Sequence, residues 1–322
     1  MSILSQKTPF RSKSAIIVMA VAIIALIAVP GFVLSSHKSK LYVRASASGT
    51  QDGSNAHPFK TIKQAMKVAK KNTEIHVSNG FYKENVAMRS DVDIFGESKK
   101  GVVIEASDKH NPVVKMENDT TINKVTLQKG SYGIKVDDDA KASIINCVIK
   151  NNKQDGIYVK ADGVKKSKQV VISKNEIRNN DGAGIYSGKR KLSISENEIT
   201  KNNGDGIDIE KGANAWIADN KIKNNDKSGM KLRIDGSTIW IKSNSFRDNK
   251  REGMEISFSG EAGRINISKT KIMNNDRYGV ARVQRLPIAG SASLWNKYLT
   301  FDNKNTIDKN KSGGISPIIV VK

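Results

Sequence analysis

An asparagine followed four residues later by a glycine recurs along the chain, and this repeat constrains the fold more than any other feature. Seven asparagines carry it: Asn152, Asn180, Asn202, Asn225, Asn249, Asn275 and Asn310. Most copies follow the previous one after little more than twenty residues. A repeat of this length cannot bury its apolar face alone, so successive units must stack as the coils of a solenoid.

Each unit has the internal pattern of short strands. Its consensus reads I-x-x-N-x-I-x-x-N-x-x-x-G-I-x-V, and runs such as Gly206-Ile207-Asp208-Ile209 alternate apolar and polar residues. A period of two with Asn and Gly punctuation is typical of β-strands and not of helices. Stacked coils about 4.8 Å apart would pair all of these strands in parallel. The asparagines favour such stacking because they tolerate left-handed backbone and can bond the equivalent amide one coil along.

A helix is predicted upstream of the repeats, at about residues 58–71. Thr61 and Gln64 form a capping box, and Ile62, Ala65 and Met66 lie on one apolar stripe. A helix in this position would close the end of the solenoid, where core residues and unpaired strand edges would otherwise be exposed.

The stretch around this helix, residues 41–84, resembles part of a known family. The resemblance is carried by Leu41-Tyr42-Val43, Gly49, Asp52-Gly53, Pro58-Phe59, Thr61-Ile62, Ala65, Ala69, Ile75-His76-Val77, Gly80-Phe81-Tyr82 and Glu84. These residues resemble the N-terminal cap of pectate-lyase-like right-handed β-helix proteins, and the later coils are similar to the generic repeats of that superfamily. The resemblance implies an all-β, single-stranded, right-handed parallel β-helix over residues 41–322. It implies no single activity, because this fold serves lyases, hydrolases, epimerases, tailspikes and adhesins.

An apolar segment precedes the β-helix. Residues 1–14 are basic and are predicted to be cytoplasmic, residues 15–35 form a transmembrane anchor or a signal peptide, and residues 36–40 form a linker. The uncharged run from Ala15 to Leu34 is just long enough to span a bilayer core. We therefore expect a single-pass membrane protein with its β-helix outside the cytoplasm, and a cleaved, secreted protein is the alternative.

The chain is strongly basic. Its 54 Lys and Arg residues against 32 Asp and Glu residues give a formal charge of +22. This charge favours a polyanionic partner such as an anionic polysaccharide or a cell-envelope polymer, although a solvated lysine-rich surface is the simpler interpretation. Few aromatic residues lie between the basic ones, which argues against specific nucleic-acid binding. Cys147 is the one cysteine, so an intramolecular disulfide is excluded. The sequence predicts no oligomeric state.

Two outward-facing columns follow the repeat glycines. The second residue after each glycine gives Lys135, Tyr158, Tyr186, Asp208, Lys231 and Glu255, and the fourth gives Asp137, Lys160, Gly188, Glu210, Arg233 and Ser257. Because strand residues alternate between faces, both columns should lie on one outer sheet, one coil apart.

These columns predict a groove for a saccharide. Tyr158 and Tyr186 would stack on sugar rings, and Lys231 and Arg233 would bind carboxylates. The acids of the ligand site, including Glu210, would hold a cation or act in proton transfer. For proton transfer, the candidate catalytic residues are Asp208, Lys231, Arg233 and Glu255. The alternative is a ladder of ordinary cross-strand ion pairs, Asp208–Lys231–Glu255 and Glu210–Arg233.

Catalytic motifs are largely missing. The resemblance implies a cleft on this sheet, acid-bound Ca²⁺ and a basic residue that abstracts the C5 proton. All four histidines precede the first clear repeat, and neither an Asp-Pro-His-Asp nor an Arg-x-Pro-x-x-Arg motif is present. No metal site is predicted by spacing, although Asp137-Asp138-Asp139 could hold Ca²⁺. Two functions stay open: an anionic polysaccharide is bound, with or without cleavage, or the protein is a non-catalytic scaffold or adhesin.

Overall fold

A computed structural model describes residues 38–161, 168–285, 288 and 290–321 of the chain. In this part of the chain, three parallel sheets wind around one continuous core as a right-handed parallel β-helix. Each coil adds one strand to sheet A, then one to sheet B, then one to sheet C. The predicted all-β, right-handed parallel β-helix is therefore confirmed for the described residues. The predicted segments 1–14 and 15–35 lie outside the described residues.

The strands are named in chain order. Sheet A contains β1 (Ser39–Val43), β2 (Thr73–Val77), β5 (Val92–Gly96), β8 (Thr120–Asn123), β11 (Ala142–Ile145), β14 (Gln169–Ser173), β17 (Lys191–Ser195), β20 (Asn214–Ala218), β23 (Thr238–Lys242), β26 (Arg264–Ser268) and β29 (Leu299–Phe301). Sheet B contains β3 (Gly80–Lys83), β6 (Val102–Glu105), β9 (Thr126–Gln128), β12 (Val148–Lys150), β15 (Glu176–Arg178), β18 (Glu198–Thr200), β21 (Lys221–Lys223), β24 (Ser245–Arg247), β27 (Lys271–Met273) and β30 (Thr306–Asp308). Sheet C contains β4 (Val86–Ala87), β7 (Val114–Met116), β10 (Ile134–Val136), β13 (Ile157–Val159), β16 (Ile185–Ser187), β19 (Ile207–Ile209), β22 (Met230–Arg233), β25 (Met254–Phe258), β28 (Tyr278–Arg285) and β31 (Gly313–Val321).

The core consists of stacked aliphatic columns. On sheet A the isoleucines of the repeat lie in register, so that Ile194 pairs with Ile217 and Ile217 with Ile241, and all three are almost fully buried. On sheet C the residues after each glycine, such as Ile207 and Ile209, are fully buried. Each buried aliphatic side chain contributes about 1.5–3 kcal/mol, so the columns supply most of the stabilisation in a protein without disulfides.

The repeat asparagines form a buried ladder where sheet B turns into sheet C. Each Nδ2 donates to the Oδ1 of the next asparagine at 2.8–3.1 Å, through Asn152, Asn180, Asn202, Asn225, Asn249, Asn275 and Asn310. The left-handed backbone lies one residue earlier than the sequence suggested, for example at Lys201 (φ 56°) and Asn224 (φ 56°). The ladder asparagines thus supply hydrogen bonds, and the residue before each of them adopts the left-handed conformation that turns the chain from sheet B to sheet C.

The glycine of each repeat is required by the close approach of the next coil. A Cβ atom on Gly206 would lie 2.5 Å from the carbonyl oxygen of Gly229 and 3.0 Å from Nδ2 of Asn225. Its backbone has no left-handed φ. The glycine therefore recurs with the asparagine because a side chain there would meet an isoleucine methyl group, a glycine carbonyl oxygen and the ladder amide of the next coil.

A second ladder lies where sheet A turns into sheet B. Asn175, Asn197 and Asn220 each donate from Nδ2 to the next asparagine at 2.9–3.0 Å, which ends at Asn244. Cys147 occupies the preceding position of this column; it is fully buried, and burial raises its pKa to about 12. Its thiol donates weakly to the carbonyl of Ile145 at 3.2 Å. A buried thiol with such a pKa is a poor nucleophile.

Both ends of the described solenoid differ from the sequence prediction in detail. Helix α1 spans Ile62–Val68, shorter than the predicted 58–71, because Phe59 bridges to Val43 and Thr61 caps the helix with Gln64. Strand β1 begins at Ser39, inside the predicted linker 36–40. A second helix, α2 (Ser291–Tyr298), was not predicted and accounts for the longest interval between repeats.

Candidate functional site

The predicted site residues lie on the outer face of sheet C. Tyr158, Tyr186, Asp208, Lys231 and Glu255 occupy paired positions on five consecutive strands, from β13 to β25. Glu210 and Arg233 lie beside them on adjacent coils, and all seven side chains are half-buried. We call these seven residues the sheet C strip.

One end of the strip is aromatic. The rings of Tyr158 and Tyr186 are stacked, with centroids 5.2 Å apart and planes 8° from parallel. Tyr132 extends the stack, with its centroid 4.9 Å from that of Tyr158, and the ammonium of Lys135 lies 6.0 Å from the Tyr158 centroid. Sequence reasoning missed Tyr132 because it directly precedes the repeat glycine and is not in the columns after it.

A charged pair adjoins the tyrosines. Arg233 Nη1 lies 2.5 Å from Glu210 Oε2, and the Tyr186 hydroxyl donates to Glu210 Oε1 at 3.4 Å. Burial, reinforced by the Glu210 carboxylate, raises the pKa of Tyr186 to about 12. Tyr186 therefore stays neutral and keeps its proton for hydrogen bonding at physiological pH.

The other predicted ion pairs do not form. The Lys231 ammonium lies opposite Asp208 and Glu255, yet neither carboxylate is within 4.0 Å of it among the described residues. Asp208 Oδ1 is buried and has no hydrogen-bond partner in this part of the chain. Burial raises the pKa of Asp208 to about 6, although Lys231 acts in the opposite direction, and burial also raises the pKa of Glu255. Of the predicted ion pairs, Glu210–Arg233 is thus formed, whereas Lys231 lies between Asp208 and Glu255 on the neighbouring coils without pairing with either.

A buried polar layer supports the acidic end of the strip. The backbone N–H of Ser228 donates to Asp205 Oδ1 at 2.8 Å, and the Ser228 hydroxyl donates to Glu252 Oε2 at 3.1 Å. Burial raises the pKa of Asp205. These residues precede the repeat glycines, like Tyr132, so columns read only after the glycines could not identify them.

The strip is an open sheet face, and two described surface depressions lie elsewhere. One of about 470 Å³ is lined by Tyr42, His76 and Phe95, whose rings stack on the first coils. Another, of about 600 Å³, is lined by Asp108 and His110 among others.

The described residues contain no group of three or more His, Cys, Asp or Glu side chains that could hold a metal ion. The aspartates proposed for Ca²⁺ each pair with a different lysine. Asp137 lies 2.8 Å from Lys115, whereas Asp138 lies 3.2 Å from Lys160. Asp139 in turn lies 3.4 Å from the Lys168 ammonium. Their carboxylates do not converge on one point, so a Ca²⁺ site at this turn is not supported.

The fold and the strip define the class of protein, a right-handed parallel β-helix with an aromatic and charged outer face. Residues 63–257, more than half of the chain, match the model of the family described as periplasmic copper-binding protein (NosD), and the chain belongs to this family. Its description as periplasmic supports an extracytoplasmic position for the β-helix. A search of curated proteins finds no significant match.

Several solved structures share the fold. XylC in complex with xylose is 12% identical, over 76% of this chain and 69% of that chain, with a TM-score of 0.63. The A-module of the mannuronan C-5 epimerase AlgE4 of Azotobacter vinelandii is 14% identical, over 86% and 95%, with a TM-score of 0.56. The pectate lyase Pel9A is 11% identical, over 88% and 77%, with a TM-score of 0.52. At these identities the likeness shows the fold alone.

The copper in the family description has no fitting site among the His, Cys, Asp and Glu side chains that the structure describes. Copper in proteins is held by imidazole, thiolate or thioether groups that converge on the metal. His76 is stacked between two aromatic rings, and Cys147 is buried in the second ladder. Neither residue belongs to a convergent set of donors in residues 38–161, 168–285, 288 and 290–321.

Proposed function

We propose that the sheet C strip binds an anionic polysaccharide outside the cytoplasm. The observation that carries this proposal is the continuity of the strip. Two stacked, nearly parallel tyrosine rings are followed in the same column by Asp208 and then by Lys231, whose ammonium no carboxylate neutralises within 4.0 Å in the described structure. A sugar chain can pack against the tyrosines while a ligand carboxylate approaches Lys231.

The repeat makes the strip suitable for a polymer. Successive side chains in the column are one strand apart, about 4.8 Å, so a chain lying along the solenoid meets a new side chain at each step. The net charge of +22 would attract a polyanion from a distance and accelerate its association. The solved β-helices named above include an epimerase of mannuronan and a pectate lyase, which is consistent with an acidic polysaccharide as the ligand.

Binding is tested by affinity electrophoresis of the full-length protein in gels that contain polygalacturonate, alginate or a glycosaminoglycan. We expect retardation in at least one anionic gel and none in a gel with uncharged dextran. Equal mobility in all gels would favour the alternative function, a non-catalytic scaffold or adhesin.

Cleavage is a second candidate function, favoured by Asp208. This half-buried carboxyl group, with a pKa of about 6, can give or take a proton near neutral pH. Lys231 and Glu255 would then assist proton transfer, and Arg233 would position the substrate. Formation of unsaturated uronates, followed by absorbance with and without Ca²⁺, tests this activity. An Asp208→Asn variant that cleaves as fast as the wild type would exclude Asp208 from the chemistry.

We also propose that residues 15–35 anchor the protein in the membrane. No helix among the described residues is long and apolar enough to cross a bilayer, so an anchor would have to come from the N-terminal segment. The protein should then resist extraction by salt and be released by detergent. A soluble product that starts near Ser36 would show that the segment is a cleaved signal peptide.

A further inference from the structure

Sheet A carries two exposed tryptophans side by side. Trp216 on β20 pairs in register with Trp240 on β23, and their side chains are 44% and 40% exposed. The third tryptophan, Trp295 on α2, is 1% exposed. Two adjacent indoles in solvent forgo apolar burial that the core could have provided, and exposed aromatic clusters of this kind commonly mark binding surfaces.

The tryptophans are surrounded by neutral polar groups and cations. Trp240 is followed in register by Asn266, whose Oδ1 accepts a hydrogen bond from the Thr300 hydroxyl at 2.7 Å. The Lys242 ammonium lies 6.0 Å from the Trp216 ring. The outward positions of β17, β20, β23 and β26 hold no aspartate or glutamate, and they include the cations Lys242 and Arg264. This face therefore complements a ligand with apolar ring faces, hydroxyl groups and negative charge.

We propose that Trp216 and Trp240 form a second binding surface for an anionic polysaccharide, separate from the sheet C strip. Consecutive pyranose rings would stack on the two indoles, and their carboxylate or sulfate groups would lie near Lys242 and Arg264. The spacing favours this occupant, because paired strands are about 4.8 Å apart, close to the length of one pyranose unit in an extended chain. This inference goes beyond the proposed function of the strip, because it concerns a different sheet.

The exposed apolar area argues against a second copy of the chain as the occupant. A tryptophan side chain can bury up to about 250 Å², so two that are less than half exposed offer roughly 200 Å². Stable protein interfaces bury about 800 Å² on each partner. The neighbours of the tryptophans are polar, which leaves this patch well below that size. Two rings among hydroxyl and amide groups match the smaller footprint of a sugar chain.

Tryptophan fluorescence tests this proposal, because buried Trp295 serves as an internal reference. The full-length protein in mild detergent is titrated with oligogalacturonate, oligoalginate and a heparin-derived oligosaccharide, and iodide quenching is measured. We expect at least one probe to protect the exposed tryptophans from iodide. Trp216→Ala and Trp240→Ala together should weaken that probe's binding by about tenfold, the effect of losing about 1.4 kcal/mol. Protection by none of the three probes would overturn the proposal.

Two further measurements identify the occupant. Lys231→Ser with Arg233→Ser should leave the protection of the tryptophans intact, whereas it removes binding to the strip. Loss of protection in that variant, together with wild-type affinity for the probe in the tryptophan variant, would overturn the second surface and leave the strip in place. A dimer that becomes monomeric in the tryptophan variant, or the same protection by anionic lipid vesicles without sugar, would also overturn it.

Discussion

Asn202 Nδ2 donates a hydrogen bond to Asn225 Oδ1 at 3.0 Å, while its own Oδ1 accepts from both the backbone N–H and the Nδ2 of Asn180. A single amide thus satisfies buried groups on two neighbouring coils, and it also donates to the carbonyl of Ile177 at 3.2 Å. The same arrangement repeats along the ladder. Each asparagine therefore ties its coil to the next one with hydrogen bonds that water cannot replace.

The ladder predicts a large loss of stability on substitution. Asn202→Leu leaves buried donors and acceptors unpaired, so we expect a loss of roughly 1–3 kcal/mol in the free energy of unfolding. Denaturant unfolding followed by circular dichroism measures it. Asn203→Leu is the matched control, because Asn203 is the exposed neighbour and its change should stay within about 0.5 kcal/mol. Similar stabilities for the two variants would contradict the structural role of the ladder.

The raised pKa of Asp208 predicts how stability varies with pH. Between the ordinary pKa of 3.8 and about 6, the folded protein holds the Asp208 proton more tightly than the unfolded chain does. The contribution of Asp208 to stability is therefore present at low pH and is lost as pH rises through about 6.

Asp208→Asn removes this dependence. The melting temperature of the variant minus that of the wild type should therefore increase from pH 4 to pH 7. Asp226→Asn is the control, because this exposed side chain is paired with Lys250 at 2.8 Å and should give no such rise. If Asp208→Asn and the wild type lose stability in parallel across this range, Asp208 is not the titrating group.

The tyrosines of the strip are expected to contribute an uncharged contact to polysaccharide binding. Tyr158→Ser and Tyr186→Ser together should weaken binding of an anionic polysaccharide by about tenfold, through lost stacking. The slope of affinity against salt should stay unchanged, because no charge is removed. Titration at several salt concentrations measures both quantities. Tyr42→Ser, in the aromatic stack of the first coils, is the control and should keep wild-type affinity. A changed salt slope would mean that the tyrosines act through neighbouring charges.

The β-helix could be predicted because its repeat is encoded locally. Gly229 recurs with its counterparts in other coils because a side chain there would meet the carbonyl oxygen of Gly253 and the ladder amide of Asn249 on the next coil. Helix α2 could not be predicted in this way. Its N-cap, Gly290, makes no side-chain capping bond, and the helix is fixed by Trp295, whose ring contacts Phe258 at 5.6 Å, edge to face. Contacts that distant in sequence leave no local pattern.

The candidate site was only partly accessible to sequence reasoning. Alternation placed Asp208 and Lys231 on one face of adjacent coils, because strand geometry fixes where side chains point. Alternation does not fix the side-chain conformation of a lysine. The sequence therefore could not show that Lys231 and Asp208 form no ion pair, which only the structure shows. The exposed tryptophans did have a signal. Trp216 and Trp240 each directly precede an inward isoleucine of the repeat, which places both indoles on the outer face of sheet A.

We propose that Lys231 and Arg233 belong to a specific site and do not act through net charge alone. Lys221 and Lys223 on β21 provide a matched control on another face of the same coil. Each double change to Ser removes two positive charges and one ion pair, Arg233–Glu210 in the strip and Lys223–Glu198 in the control. Half-exposed ion pairs contribute about 0–1 kcal/mol, so both variants should remain folded.

The most direct measurement is the affinity of these two variants for the anionic polysaccharide that binds the wild-type protein most tightly. We predict that Lys231→Ser with Arg233→Ser weakens binding by at least about tenfold, the effect of about 1.4 kcal/mol. Lys221→Ser with Lys223→Ser should retain nearly all of the wild-type affinity. Equal losses in the two variants would contradict a binding site on the sheet C strip.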